Sequence, residues 1–179
     1  MTTGELKFPS VAVKTIVTHT FTYMFMGILA LQFLHHAEKF AKPYMAGWMR
    51  QLSDPLVMAG PLFQPVRGLI FALVLYPLRE IMFGRKNGWL IMFWTLLGLG
   101  ILSTFGPASG SVEGMVYTLI PIPQQLLGWL EVIPQAFLLS LILCFWIAHP
   151  EKKWLSWVMG TAFFFSLALP ILGMLVVHR

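Results

Sequence analysis

The sequence predicts an all-α integral membrane protein: a bundle of about five transmembrane helices, with an interfacial segment after the first and a polar, Pro/Gly-rich hairpin between the third and fourth. Three observations carry this reading. Only 11% of the 179 residues are charged and 58% are hydrophobic, whereas a soluble domain carries about 25% charged residues. The mean hydropathy is +0.76. Apolar runs of spanning length recur along the chain, and a span needs about 20 such residues. That leaves room for a single polytopic domain over 1–179 and almost no soluble portion.

The first span is expected over about 11–34. Its early half is polar for a membrane helix, with Lys14, Thr15, Thr18, His19, Thr20 and Thr22. Those groups should face other helices, because a polar group facing lipid lacks a partner. His19 is therefore read as an interhelical polar residue, with a proton-relay or ligand role as the alternative. The run is not a signal peptide by composition and is expected to be retained. Beyond it, His35, His36 and Glu38 mark a surface. Tyr44 to Pro61 then forms an interfacial connection in which Tyr44, Trp48 and Arg50 suit the headgroup level. Within it, Ser53-Asp54-Pro55 signals a turn, since Asp can cap and Pro fixes φ.

The second span is expected over about 62–83, with Pro77 kinking it or starting a last broken turn. Arg67 and Arg79-Glu80 bracket its apolar core from Gly68 to Leu78; that core is too short to span alone, so Arg67 must snorkel, line a wet cavity or pair. A tight basic turn, Gly84-Arg85-Lys86-Asn87-Gly88, leads to the third span over about 89–105. The polar hairpin follows. Gly106 is read there as a C-cap glycine and Ser111 as a cap for whatever comes next, and Pro121 and Pro123 are read as helix breakers. The fourth span is expected over about 127–148 and the fifth over about 154–177, separated by His149-Pro150-Glu151-Lys152-Lys153.

Lys7, Lys14, Arg79, Arg85, Lys86, Lys152 and Lys153 fall on one side of such a bundle, and Lys39, Lys42, Arg50 and Arg179 on the other. The positive-inside rule then places the N-terminus in and the C-terminus out, in a bacterial inner membrane. Arg79, Arg85 and Lys86 form an inner basic patch, either an ordinary flank or a contact for anionic lipid headgroups or a larger membrane complex. The formal charge of +5 comes with no extended basic surface, so nucleic acid is not an expected partner. The bilayer is one, and oligomerisation is left open. Cys144 cannot form an internal disulfide and reads as a packed apolar residue.

The outer end collects the candidate site: Glu131, Glu113, Arg67, Gln135, His35 and His36. Glu131 and Gln135 are four apart and share a helix face. One reading pairs Arg67 with Glu131 or Glu113 and pins the loop to the bundle. The other has carboxylates and histidines lining an outward cavity that binds a ligand, proton or metal. No cofactor is predicted. The metal version would use His35, His36, Glu38, Glu113 and Glu131, but the adjacent histidines would point apart on a helix and no His-Glu-x-x-His occurs. A bis-histidine haem would need pairs among His19, His149, His35, His36 and His178 at similar depth. Ser109 and Ser111 lack the Gly-x-Ser-x-Gly context of a nucleophile elbow. The favoured function is a non-enzymatic subunit or a binder of a lipid-like or small ligand. The alternatives are an intramembrane enzyme acting on an apolar or lipid substrate through Glu/His acid–base or metal chemistry, and a proton- or ion-coupled transporter subunit using Glu131, Arg67 and His19.

Overall fold

The computed structural model describes residues 6–47 and 49–177; Trp48, His178 and Arg179, which enter the interfacial and terminal expectations, lie outside them. The described chain is helical with no strand. Among the described residues three helices are long and apolar enough to cross a membrane: α1 (Phe8–Phe33), α9 (Ile122–Ala148) and α10 (Lys153–Val177). Between them come α2 (His36–Phe40), α3 (Pro43–Ala46), α4 (Pro55–Met58), a 3₁₀ turn (Gly60–Phe63), α5 (Gln64–Leu75), α6 (Arg79–Met82), α7 (Gly88–Leu97) and α8 (Val112–Tyr117).

The expected second and third spans are shorter than their apolar runs. Pro77 cannot donate to the carbonyl one turn back and its ring crowds that turn. The helix accordingly ends at Leu75 and resumes only as the four residues of α6. Beyond Leu97 the third loosens into a π turn over Gly98–Leu102, and the Ser103 amide donates to the Gly98 carbonyl at 2.9 Å. The fourth helix differs in the other direction. It begins at Ile122, not near 127, because Pro123 falls at its second position, where the backbone N–H has no intrahelical acceptor to lose. Pro123 therefore starts the helix that it was expected to break. Gly106 is not in the left-handed region; that conformation falls at Gly110 (φ 88°) and, without the freedom of glycine, at His35 (φ 48°).

Packing is tightest at the end of the molecule holding the start of α1, α6 and the last turns of α5 and α9. Val11, Leu75, Met82, Met92, Leu139, Leu143 and Ile147 form one buried cluster there, and Val17, Trp146, Leu155 and Met159 a second. The Lys14 amine donates to the Trp146 carbonyl (3.0 Å), and the Tyr76 hydroxyl to the Leu6 carbonyl (3.3 Å). Small residues bring α1 and α5 together: a methyl at Gly68 would lie 2.7 Å from the Ile16 Cα, and Ala72, one turn on, is fully buried. The other end, where α1 finishes and α9 begins, is looser and holds the cavity described next.

Candidate functional site

The chain turns sharply after α1. The Leu34 amide still closes the helix onto the Ala30 carbonyl (2.8 Å), and His35 then takes the left-handed conformation. This is the usual way a helix stops, with an unusual residue doing it. The two histidines are thereby separated. His35 faces out, its side chain 75% exposed and 4.0 Å from Glu38. His36 opens α2 and points back into the molecule.

There it meets Glu131 on the third turn of α9. His36 Nε2 lies 3.2 Å from Glu131 Oε2, with the side chains only 13% and 23% exposed. The approach is an ion-pair distance without hydrogen-bond alignment, so the buried Nε2 still has an open hydrogen-bonding direction. Phe40 holds the imidazole from its own helix, edge to face at 5.4 Å. Lys39 ties α2 to the first turn of α9, its amine donating to the Gln124 carbonyl at 3.2 Å. Partial burial of that amine lowers its pKa, and the nearby Glu131 charge works in the opposite direction.

His36 and Glu131 line one end of a half-open cavity of about 610 Å³. Its walls come from the later half of α1 and from α10, and the connection between α2 and α5 forms its roof. Among the described residues Tyr23 is the third polar side chain on its surface; the others, such as Met24, Leu31, Phe40, Met58 and Leu169, are apolar, with Gly27 and Gly173 in the walls. A hollow of similar size, about 630 Å³, is lined by Ser156, Trp157, Gly160, Thr161, Phe164 and Phe165 of α10 alone. With one helix supplying every wall, that hollow is a surface groove with no converging polar groups.

The remaining candidates are dispersed. Arg67 makes no ion pair among the described residues and lies over the Phe71 ring at 5.6 Å. Phe71 also takes the edge of His19 at 4.8 Å, and His19 Nε2 donates to Gln64 Oε1 at 3.1 Å, joining α1 to α5. Glu113 is exposed in the first turn of α8. Gln135 is half-buried one turn beyond Glu131 and is not in the cavity wall. On the opposite end, Arg79 covers the Tyr76 ring at 4.6 Å, and Arg85 and Lys86 are exposed. His149 Nδ1 is engaged with the Phe145 carbonyl (2.9 Å). Among the described residues no three His, Cys, Asp or Glu side chains gather as a metal site would require.

The hairpin is organised by a residue outside the candidate set. Gln125, fully buried, accepts from the Gly110 amide (3.0 Å) and donates towards the Ile120 (2.8 Å) and Gly114 (3.2 Å) carbonyls. Trp129 Nε1 donates to the Gly110 carbonyl (2.9 Å), and Ser111 caps α8 by accepting from the Gly114 amide (2.9 Å). The serines thus belong to a turn, and the Ser111 hydroxyl is engaged with the Ala108 carbonyl (2.7 Å). Tyr23 and Gln125 were the residues sequence reasoning missed. A signal for each existed: Tyr23 lies four after His19, and Gln125 stands where a side chain can reach back over a helix start. No family model, curated protein or solved structure matches the chain.

Proposed function

We propose that this protein is a membrane-embedded binder of a lipid-like ligand, held in the cavity between α1 and α10 with its polar end at His36 and Glu131. The observation that carries the reading is the composition of that cavity: an apolar hollow of ligand size, about 610 Å³, where the polar side chains among the described residues are Tyr23, His36 and Glu131. Such a combination is what a small-molecule site requires, apolar area for affinity and a few placed polar groups for orientation. Each charge held inside is costly in a low-dielectric setting and marks a functional site by default.

The proposed topology has five crossings, N-terminus in and C-terminus out. Gly60–Leu75 and Gly88–Leu102 are apolar but short; at about 1.5 Å per residue they reach roughly three-quarters of the ~30 Å hydrocarbon core. The basic turns at Arg85–Lys86 and Lys152–Lys153 then share a side with the N-terminus, and the cavity mouth lies on the other. A bacterial plasma membrane is the setting this charge pattern suits.

Native mass spectrometry of the protein released from detergent tests the proposal. A retained apolar adduct is expected, and Gly27→Trp should remove it, because a side chain there grows into open space in the cavity wall. A protein that carries no adduct, or one that Gly27→Trp leaves in place, contradicts the reading. A second reading is favoured by the His36–Glu131 approach itself: a carboxylate 3.2 Å from an imidazole is arranged as a general base and its orienting partner are. In that case the bound molecule would be turned over, and chemical change of the adduct on incubation would distinguish an enzyme from a binder.

A further inference from the structure

At the packed end, away from the cavity, three stretches distant in sequence bring basic side chains onto one surface. Cys144 Sγ donates to the Met82 carbonyl at 3.5 Å, and Met82 shares a buried cluster with Leu143 and Ile147. The Arg85–Lys86 turn that follows Met82 is thereby placed beside the Lys152–Lys153 turn that follows α9. Tyr76 brings in the third stretch. Its hydroxyl donates to the Leu6 carbonyl, Phe8 meets its ring edge to face at 5.2 Å, and Arg79 lies over the ring at 4.6 Å. Lys7, Arg79, Arg85, Lys86, Lys152 and Lys153 share this end, and the acids in the same stretches are Glu5, Glu80 and Glu151, six charges against three. We infer that this end is a docking surface for anionic phospholipid, centred on Arg79 and the two basic turns.

Two features set this surface apart from an ordinary charged flank. The first is that two of its cations are already held in place. Arg79 is stacked on Tyr76 with Nη1 donating to the Tyr76 carbonyl at 3.2 Å, and Lys152 lies over the Phe145 ring at 4.6 Å. A long side chain fixed in advance loses less freedom when a ligand arrives. The half-buried Arg79 guanidinium keeps donors beyond the one spent on Tyr76, and phosphate oxygens are acceptors that its planar fork suits. The second feature is the apolar surface among the charges. Leu78 and Ile81 flank Arg79 and are exposed, and the exposed Trp154 and Trp157 follow Lys153. An acidic protein segment would neutralise the cations and leave these side chains uncovered. A phospholipid answers both: its phosphate meets the cations, its acyl chains meet the aliphatic side chains, and tryptophan suits the boundary between them. The surplus of positive charge favours a head group with net negative charge over a zwitterionic one, whose choline it repels.

The test adds equal amounts of phosphatidylglycerol and phosphatidylcholine, matched in acyl chain, to the full-length protein in a non-ionic detergent at neutral pH and low salt. Bound lipid is read by native mass spectrometry. Phosphatidylglycerol should exceed phosphatidylcholine among the adducts by at least about fivefold, and the excess should shrink as salt rises. Arg85→Gln/Lys86→Gln, in an exposed turn outside both packed clusters, should cut the excess by at least about threefold, and so, separately, should Arg79→Gln. Lys42→Gln/Arg50→Gln removes the same charge from the other end and should leave the excess unchanged. Equal occupancy by the two lipids, an excess untouched by the Arg79 and Arg85/Lys86 variants, or an equal loss in both double variants overturns the inference. So does an excess erased by millimolar inorganic phosphate at matched ionic strength, which would mark a site for the free anion. A preference that disappears in Gly27→Trp would place the lipid in the cavity and overturn the inference as well.

Discussion

His36 and Glu131 are 95 positions apart in the chain, and a single left-handed residue brings them together. His35 has no glycine's freedom at φ 48°, a conformation that costs an ordinary side chain on the order of 1 kcal/mol. His35→Gly should therefore preserve the turn and the site, whereas His35→Val should disturb both, read as loss of adduct. At Glu131 the expected outcomes differ by variant. Glu131→Leu should abolish ligand retention while keeping the fold, because the carboxylate lies against a cavity and not inside the packed clusters. Gln125 is the opposite case. Its amide is buried among backbone groups of the hairpin, and an apolar replacement would strand the buried Gly110 N–H and the Ile120 carbonyl, while the Gly114 carbonyl keeps Thr118. Gln125→Leu should cost about 3 kcal/mol, measured by reversible unfolding in detergent, and should open 105–120 to protease at temperatures where the wild type resists. Of these residues, Glu131 and His36 were legible from residue type and position in an oily chain. Tyr23 and Gln125 are marked only by their spacing, four after His19 and at a helix start, and spacing alone does not say which of several polar neighbours is drawn into the cavity or the hairpin.

The elements were readable where the backbone rules are strict. Asp54 caps α4 by accepting from the Leu56 amide (2.8 Å), with Pro55 as the first helical residue, as Ser53-Asp54-Pro55 suggests. Arg50 adds a contact to the same carboxylate (2.9 Å), which, with the Leu56 amide, holds the Asp54 pKa below its ordinary 3.8. A carboxyl depressed in this way stabilises the folded connection above the unfolded pKa, and the effect disappears as pH falls through the folded value. Hydrogen exchange of the α4 amides should accelerate only in strong acid, and Asp54→Asn should remove that dependence. The proline readings divided. Pro77 ends α5, but Pro123 begins α9, and only the position within the helix distinguishes the two outcomes. The Gly68/Ala72 spacing, common enough by chance to carry little weight in a sequence, is here a close contact of α5 with the α1 backbone at Ile16. Gly68→Leu should force those helices apart and break the His19–Gln64 bridge, lowering the thermal midpoint in detergent by several degrees. The equivalent change at Gly128, where a methyl would meet nothing within 4 Å, should be neutral.

At the scale of the whole molecule, one end is packed and the other is hollow. The packed end holds both buried clusters and the basic turns; the hollow end holds Tyr23, His36 and Glu131. Composition and the length of the apolar runs pointed to helices able to cross a membrane, but not to the division, because it depends on which helix faces meet in three dimensions and no local pattern encodes that. The proposed five crossings predict a simple accessibility pattern in a Cys144→Ser background. Asn87→Cys and Glu151→Cys should react with impermeant maleimide from the cytoplasmic face, and Gln51→Cys and Ser109→Cys from the opposite face. The central claim of the proposal, a lipid-like ligand lodged between α1 and α10, is tested most directly by photo-crosslinking with a monoacylglycerol carrying a diazirine midway along its chain, followed by peptide mapping. The cavity predicts labelling concentrated at 23–31 of α1 and 169–173 of α10 and competed by unlabelled monoacylglycerol. Labelling confined to the outward side chains of α10, such as Phe164 and Phe165, and unaffected by competitor would contradict it.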